Sequence, residues 1–177
     1  MHRLLILVAL VVALAGCAAT TPRTVDTASV TFIVVRHAEK VDASRDPDLN
    51  AAGHARAKDL AAYLGQLELA AAYVTEFKRT SQTLAPSVEA RGLAITPYPA
   101  DQPAADFAAH LRATHPRGHV LIAGHSNTVP DIVAALCACA TAPIADHEYD
   151  RLSIIRIDTE GRARLDVTRY GAASPPP

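Results

Sequence analysis

The sequence predicts a single α/β domain with three layers, α/β/α, in which helices cover both faces of a mostly parallel central sheet. Apolar, β-branched runs alternate along the chain with segments of helical periodicity. The first of these runs, residues 30–36, is apolar almost throughout, which is typical of a strand buried on both faces. A length of 177 residues suits one domain with one core.

The first half of the chain predicts three strands and two helices. After the strand at 30–36, a helix is expected over 51–64, closed by Gly65, because its apolar residues recur at i, i+3, i+4 and i+7. They are Ala57, Leu60, Ala61 and Leu64. A short strand follows at 70–74, and then a helix over about 79–91 that ends at Gly92. Pro86 is expected to bend or restart this helix. The third strand is expected at 94–98.

The second half continues the alternation and then changes character. Helical spacing marks two more helices on either side of a strand at 119–123. The spaced residues are Ala104, Phe107, Ala108 and Leu111 in one helix, and Val129, Ile132, Val133 and Leu136 in the other. Two β-rich runs, 152–157 and 163–168, are split by Asp158-Thr159-Glu160-Gly161 and predict a hairpin.

The N-terminus predicts export to the cell envelope. Residues 1–16 combine a short basic start with an apolar run at 4–15, as a signal peptide does. The segment Leu14-Ala15-Gly16-Cys17 resembles the lipobox of bacterial lipoproteins, which implies cleavage before Cys17, its acylation and a membrane anchor. Ala18 favours the outer membrane, with the domain facing the periplasm. The alternative is an ordinary secretory signal in which Cys17 is incidental.

Composition predicts the segment boundaries, the absence of a nucleic-acid surface and the state of the cysteines. Residues 17–28 are expected to form a tether, 29–171 the folded domain and 172–177 a disordered tail. Charged residues make up 20% of the chain and the net charge is −1, so no basic surface for nucleic acid is expected. Cys137 and Cys139 are expected to be two reduced, small residues near a helix end, with a disulfide between them as the alternative.

Residues suited to phosphate chemistry follow three of the predicted strands. Arg36 and His37 follow the first strand, Arg79 comes after the second, and His125 follows the fourth. In an open α/β sheet the carboxyl ends of the strands form the ligand site. Arginine binds two phosphate oxygens at once, and a neutral imidazole can act as a nucleophile. The sequence therefore predicts a phosphoryl-transfer site at this edge.

These segments together resemble the histidine phosphatase superfamily, also called phosphoglycerate mutase-like. Arg36-His37-Ala38-Glu39 is similar to its RHG signature, although alanine stands where glycine is commonest. The segment from Thr75 through Arg79 to Thr83 is similar to its (S/T)-x-x-x-R-x-x-x-T pattern. Gly124-His125-Ser126-Asn127 is similar to its second histidine motif, and Leu49 and Gly53 match its L-x-x-x-G. The resemblance spans roughly residues 30–170.

The resemblance implies a histidine acid phosphatase-type hydrolase of phosphoric monoesters. His37 would be the nucleophile that forms a phosphohistidine, while Arg36, Arg79 and His125 would form the phosphate pocket. It implies no metal and no organic cofactor, and its substrate would be a phosphorylated small molecule or a phosphoprotein. The proton donor is placed variably in the family. Asp101, just past the third strand, is the first choice, and Glu76 is the second.

Three alternative functions remain open at this stage. Gly124-His125-Ser126-Asn127-Thr128 partly resembles the nucleophile elbow of α/β-hydrolases, which would make the chain a serine hydrolase that uses Ser126. Thr128 in place of the second glycine argues against this alternative. A non-catalytic phosphate-binding lipoprotein is another. A mutase is the third, disfavoured because the chain has little insertion to keep water from the intermediate.

Overall fold

The computed structural model describes residues 28–175. The predicted signal peptide, Cys17 and nearly all of the predicted tether lie outside the described residues. Within them, strands and helices alternate until a final pair of strands. The elements are β1 (Ala28–Arg36), α1 (Ala51–Leu64), β2 (Leu69–Thr75), α2 (Lys78–Glu89), β3 (Ile95–Tyr98), α3 (Ala104–Thr114), β4 (Gly118–Gly124), α4 (Val129–Cys137), β5 (Arg151–Asp158) and β6 (Ala163–Arg169). No helix in this part of the chain is long and apolar enough to cross a membrane.

One six-stranded sheet forms the middle layer. Its strand order is β3-β2-β4-β1-β5-β6. The first four strands in the chain run parallel to one another, whereas β5 runs antiparallel to β1, and β6 antiparallel to β5. The mostly parallel sheet and the terminal hairpin that the sequence predicts are confirmed.

Alternate residues of β1 enter opposite cores of the domain. Phe32 and Val34 belong to a buried cluster that also holds the apolar residues of α3 and α4. Ile33 and Val35 belong to a second cluster with those of α1 and α2. Each of these four side chains is at most 3% exposed, and each such burial contributes about 1.5–3 kcal/mol. Helices therefore cover both faces, and the predicted α/β/α layering is confirmed.

The ends of the first two helices follow local rules. Asn50 caps α1 by accepting a hydrogen bond from the Gly53 amide at 2.9 Å. The second helix begins and ends slightly earlier than predicted, and it continues through Pro86 as one element. It closes where Gly92 adopts a φ of 60° and the Leu93 amide donates to the Val88 carbonyl at 3.0 Å. This is the hydrogen bond of a Schellman turn, and the glycine makes it possible.

The chain after β6 is packed against the domain rather than disordered from residue 172 as expected. The Ser174 amide and hydroxyl both donate to the Asp150 carboxylate, at 3.1 and 2.9 Å. The Ser174 hydroxyl oxygen also accepts from the Tyr149 amide at 2.8 Å. The ordered domain therefore extends past residue 171, because a buried carboxylate at the start of β5 needs these donors.

The expectation of two reduced cysteines is wrong in the structure, where Cys137 and Cys139 form a disulfide. Helix α4 ends at Cys137, and the next residue, Ala138, adopts a left-handed conformation with a φ of 52°. This turn brings the two Cα atoms to 5.2 Å from each other, within the range that a disulfide spans.

Candidate active site

The carboxyl ends of β1, β2 and β4 meet at one edge of the sheet and form a cavity. Arg36 lies opposite Gly124 in the β1–β4 register, and the His37 amide donates to the Gly124 carbonyl at 2.8 Å. The cavity has a volume of about 330 Å³. It is lined by Arg36, His37, Lys40, Phe77, Arg79, Ala100, His125, Ser126, Asn127, Thr128 and Asp146. The structure thus brings together the four side chains that the sequence predicts as the phosphate site.

The imidazole of His37 is held as a neutral ring with one free nitrogen. Its Nδ1 atom lies 2.8 Å from the Ala38 carbonyl oxygen. A carbonyl only accepts, so Nδ1 carries the proton and Nε2 keeps its lone pair. Burial, and then the neighbouring Arg36, lower the pKa of His37 from 6.5 to about 3. His37 therefore presents an unprotonated ring nitrogen, Nε2, at neutral pH.

A chain of hydrogen bonds fixes the tautomer of His125. Its Nδ1 atom accepts from Arg79 Nη2 at 3.3 Å, which leaves the ring proton on Nε2. Nε2 then donates to the Thr75 hydroxyl at 3.0 Å, which donates to the Thr80 hydroxyl at 3.0 Å. Burial, and then the neighbouring Arg79, lower the pKa of His125 to about 4. The two imidazole rings lie 5.3 Å from each other, edge to face.

Two guanidinium groups flank the pair of histidines. Arg36 is 5% exposed, and burial lowers its pKa, an effect that Tyr149 and nearby carboxylates oppose. Arg79 lies over the ring of Phe77, with Cζ 4.3 Å from the ring centroid, and donates to the Arg45 carbonyl at 3.1 Å. Fixed cations beside a neutral imidazole can hold an anion whose charge spreads over several oxygens.

The threonine at the end of the second motif ties helix α2 to residues 37–40, which we call the nucleophile loop after the role that the sequence predicts for His37. The Thr83 hydroxyl accepts from the Ala38 amide at 2.9 Å and donates to the Arg79 carbonyl at 2.7 Å. Thr83 is fully buried, so these bonds are shielded from water. They fix the position of Arg79 relative to the chain segment that holds the His37 ring.

Sequence reasoning missed the ion pair behind the nucleophile loop. Glu39 binds Arg56 of α1 through both carboxylate oxygens. The approach is close because residue 53 is glycine: a Cβ atom there would lie 2.1 Å from the Glu39 carbonyl oxygen. The match of Gly53 to the family pattern is the only signal for this contact in the sequence.

Tyr149 is a second residue that sequence reasoning missed. Its ring lies against the Arg36 guanidinium, with Cζ 4.1 Å from the ring centroid, and 6.1 Å from the His37 ring. No pattern in the sequence marks it, because it belongs to an irregular loop more than one hundred residues after Arg36.

The structure does not bring Asp101 into the cavity. The Gln102 amide bonds to the Pro99 carbonyl in a turn, so that Ala100 lines the cavity and the Asp101 side chain is exposed. Glu76, the second choice, is also exposed and does not line the cavity, but it acts on residues that do. Its carboxylate accepts from the Ala100 amide at 2.9 Å, and its charge raises the pKa of both Arg79 and His125 against the effect of burial.

Ser126 lines the cavity but lacks the partner that a nucleophilic serine requires. The ring nitrogens of His125 bond to Arg79 and Thr75, and Nδ1 of His37 bonds to the Ala38 carbonyl. Within residues 28–175 no hydrogen bond joins the Ser126 hydroxyl to an imidazole. In the same part of the chain, no group of three His, Cys, Asp or Glu side chains is arranged to hold a metal ion.

Comparison with known proteins gives one family match. Residues 32–100 match the model of the histidine phosphatase superfamily, branch 1. This segment contains the Arg36-His37 and Thr75–Thr83 motifs but not His125. No protein with a curated description matches the chain.

Solved structures share the fold over most of the chain. The protein histidine phosphatase SixA in complex with tungstate is 21% identical, with a TM-score of 0.65 over 78% of this chain and 96% of its own. An α-ribazole-5′-phosphate phosphatase described as putative, from Escherichia coli K-12, is 15% identical, with a TM-score of 0.66 over 84% and 100%. A mycobacterial glucosyl-3-phosphoglycerate phosphatase is 16% identical, with a TM-score of 0.65 over 80% and 99%. The solved structures show that this chain shares their fold, and the family match covers residues 32–100.

Proposed function

We propose that this chain, with its histidine phosphatase fold, hydrolyses phosphoric monoesters through a phosphohistidine on His37. One observation carries the proposal: a neutral imidazole, whose Nε2 lone pair is left free by the Nδ1–Ala38 bond, shares a cavity with two arginines and a second histidine. A two-step phosphoryl transfer requires a nitrogen nucleophile and cations that bind the phosphoryl oxygens.

In the first step, Nε2 of His37 attacks phosphorus and the bond from phosphorus to the ester oxygen breaks. The alcohol leaves with a proton. The phosphorylated ring is cationic because Nδ1 keeps its hydrogen, and the Ala38 carbonyl oxygen 2.8 Å away stabilises that charge. In the second step, water attacks phosphorus and the N–P bond breaks. Inorganic phosphate leaves and His37 regains its lone pair.

Arg36, Arg79 and His125 bind the transferring group in this scheme. The pKa of His125 is low in the absence of an anion because of burial and Arg79. A bound phosphoryl dianion supplies the opposite charge that raises such a pKa. His125 is then expected to take up a proton and to donate from Nδ1 to a phosphoryl oxygen.

We assign the proton donor to Glu76 rather than to Asp101. Both side chains are exposed, but Glu76 acts electrostatically on Arg79 and His125, which line the cavity, and it binds the amide of Ala100, which also lines it. A carboxylic acid at this position can protonate the departing alkoxide. Substrates with good leaving groups need this proton least.

Trapping the covalent intermediate tests the proposal. The protein is mixed with a radiolabelled phosphate monoester and denatured in alkali, because phosphohistidine is labile in acid. Wild-type protein should retain label, and His37→Ala should retain none and lose turnover. His54→Ala, which removes an exposed imidazole on α1, is the matched control and should be labelled. Equal labelling of His37→Ala and wild type would overturn the assignment.

Labelling and turnover, measured also on a Ser126→Ala variant, distinguish the two other functions that could use this cavity. A protein that binds phosphate but gives neither label nor turnover would be a binding protein. A serine hydrolase would lose its activity in Ser126→Ala, while the phosphohistidine route predicts that this variant keeps most of it. Ser126 lacks an imidazole partner within the described residues, which favours the phosphohistidine route.

We also propose that the domain is exported and anchored to the membrane through a lipid on Cys17. The support is the lipobox-like sequence together with the disulfide between Cys137 and Cys139, since disulfides persist in oxidising compartments outside the cytosol. Incorporation of labelled palmitate in a bacterial host tests this proposal. Wild-type protein should carry label in the membrane fraction, and Cys17→Ser should carry none.

A further inference from the structure

One terminal nitrogen of the Arg36 guanidinium group is fully engaged by the protein itself. Its Nη1 atom donates to three carbonyl oxygens, those of Ala145, Asp146 and Glu148, at 2.9, 2.9 and 3.0 Å. Its Nε atom is buried and has no partner within the described residues. A buried donor without an acceptor is costly, so Nε is expected to receive one when an anion binds.

Tyr149 covers a face of the same guanidinium. The Cζ atom of Arg36 lies 4.1 Å from the centroid of the Tyr149 ring, well within the range of a cation–π contact. The three carbonyl oxygens fix the direction of the Nη1 edge within the guanidinium plane, and the Tyr149 ring fixes the orientation of that plane. Within the described residues, one short segment, 145–149, therefore supplies the hydrogen bonds and the ring contact of this guanidinium.

This segment is itself held in place. Arg151 donates to the carbonyls of Ala142 and Pro143 at 2.8 and 2.9 Å, and binds the Glu148 carboxylate at 2.7 Å. On the other side, the Ser174 hydroxyl accepts from the Tyr149 amide at 2.8 Å. These anchors keep the ring from moving away when Arg36 moves.

We propose that Tyr149 is a positioning residue that sets Arg36 with its Nε and Nη2 edge toward the phosphoryl oxygens. Two parallel N–H donors bind two oxygens only when the guanidinium plane is correctly aligned. The carbonyls of 145, 146 and 148 block the Nη1 edge, so the edge opposite them is the one left for the ligand. The proposal rests on the proposed function only for the identity of the anion, which is a phosphoryl group.

Binding of inorganic phosphate, measured by calorimetry on the full chain, tests the proposal without reference to turnover. Tyr149→Leu keeps an apolar side chain and removes the ring face, and it should weaken phosphate binding about tenfold. Tyr149→Phe keeps the face and should bind within about twofold of wild type. Tyr63→Leu removes an exposed tyrosine of α1 and should leave binding unchanged. Thermal melts establish that each variant is folded.

A double-mutant cycle with Arg36→Lys shows whether Tyr149 acts through the arginine. Lysine keeps the charge but has no fork to orient, so Tyr149→Leu should then weaken binding less than twofold. A tenfold loss that persists in the lysine background would overturn the proposal, as would equal losses in Tyr149→Phe and Tyr149→Leu. If phosphate binding behaves as expected but the wild type gives no turnover, the proposed hydrolase function fails and the role of Tyr149 stands.

Discussion

Arg56 binds the carboxylate of Glu39 from below the nucleophile loop, with Nη2 at 2.7 Å and Nε at 3.0 Å. The Arg56 side chain is 4% exposed and that of Glu39 is 20% exposed. Arg56 also donates from Nη1 to the Tyr170 carbonyl at 3.0 Å. One buried guanidinium therefore joins α1, the residue that follows β6 and the residue that lies two positions after His37.

Glu39→Gln is expected to lower the free energy of unfolding by about 3 kcal/mol, because it leaves the buried Arg56 charge without its counterion. Chemical denaturation at neutral pH measures this change. Glu160→Gln is the control, because Glu160 pairs with Arg162 in a turn where both side chains are more than half exposed. That change should cost less than about 1 kcal/mol. Equal effects of the two substitutions would contradict the importance of the buried pair.

Gly53→Ala should destabilise the protein even though alanine favours helices. The new Cβ atom would lie 2.1 Å from the carbonyl oxygen of Glu39 and 3.0 Å from its nitrogen, and backbone atoms have little freedom to move away. We expect a loss of about 3 kcal/mol, at the upper end of what overpacking costs.

The opposite change at an exposed position of the same helix is the control for Gly53→Ala. Ala55→Gly should cost about 1 kcal/mol through helix propensity alone. Denaturation curves of both variants measure the two effects. A Gly53→Ala protein as stable as the wild type would show that the contact between α1 and the nucleophile loop is not tight.

The stability of the phosphate-free protein should fall as the pH is lowered from about 6.5 to 4. Burial lowers the pKa of His37 to about 3 and that of His125 to about 4. Over most of this range the unfolded chain takes up protons at these positions and the folded chain takes up far fewer, so unfolding is favoured. Each imidazole makes the free energy of unfolding fall by up to about 1.4 kcal/mol per pH unit.

Denaturation of wild type and His37→Gln at pH 5 and pH 7.5 measures this dependence. The variant should lose about 2 kcal/mol less than the wild type on acidification, because one of the two buried imidazoles is absent. His54→Gln removes an exposed histidine and should leave the wild-type dependence in place. A His37→Gln variant as acid-sensitive as the wild type would count against a buried, neutral His37.

Leaving-group dependence identifies the proton donor. Glu76→Gln should slow the hydrolysis of an alkyl phosphate about 100-fold and that of a nitrophenyl phosphate much less, because only the alkoxide needs a proton on departure. Asp101→Asn should slow both substrates little and equally. The reverse result, with the selective loss in Asp101→Asn, would restore the residue that the sequence favours. Steady-state rates with both substrates give the answer.

Local pattern predicted much of the secondary structure. The bounds of α1, Ala51–Leu64, match the prediction because apolar periodicity, a capping Asn50 and a closing Gly65 act within the segment itself. The strand ends that hold Arg36 and His125 were predictable for the same reason. Since parallel strands present their carboxyl ends at one edge of a sheet, the gathering of Arg36, His37, Arg79 and His125 around one cavity also followed from strand order.

Contacts between distant irregular segments could not be predicted in this way. Whether Asp101 faces the cavity depends on one turn at 99–102, and the disulfide depends on the left-handed backbone at Ala138. The contact between Tyr149 and Arg36 depends on the path of a loop without periodicity.

The sequence by itself determined the layers of the domain, the order of its elements and the identity of the two histidines and two arginines at the edge of the sheet. The tertiary structure decided which nitrogen of each imidazole carries the proton, which nitrogen of Arg36 is engaged by carbonyls and that Ala100 rather than Asp101 lines the cavity. Periodicity and capping act over a few neighbouring residues, so they can be read along the chain. Tautomers and side-chain orientations are set by partners brought from far along the chain, and those partners exist only once it has folded.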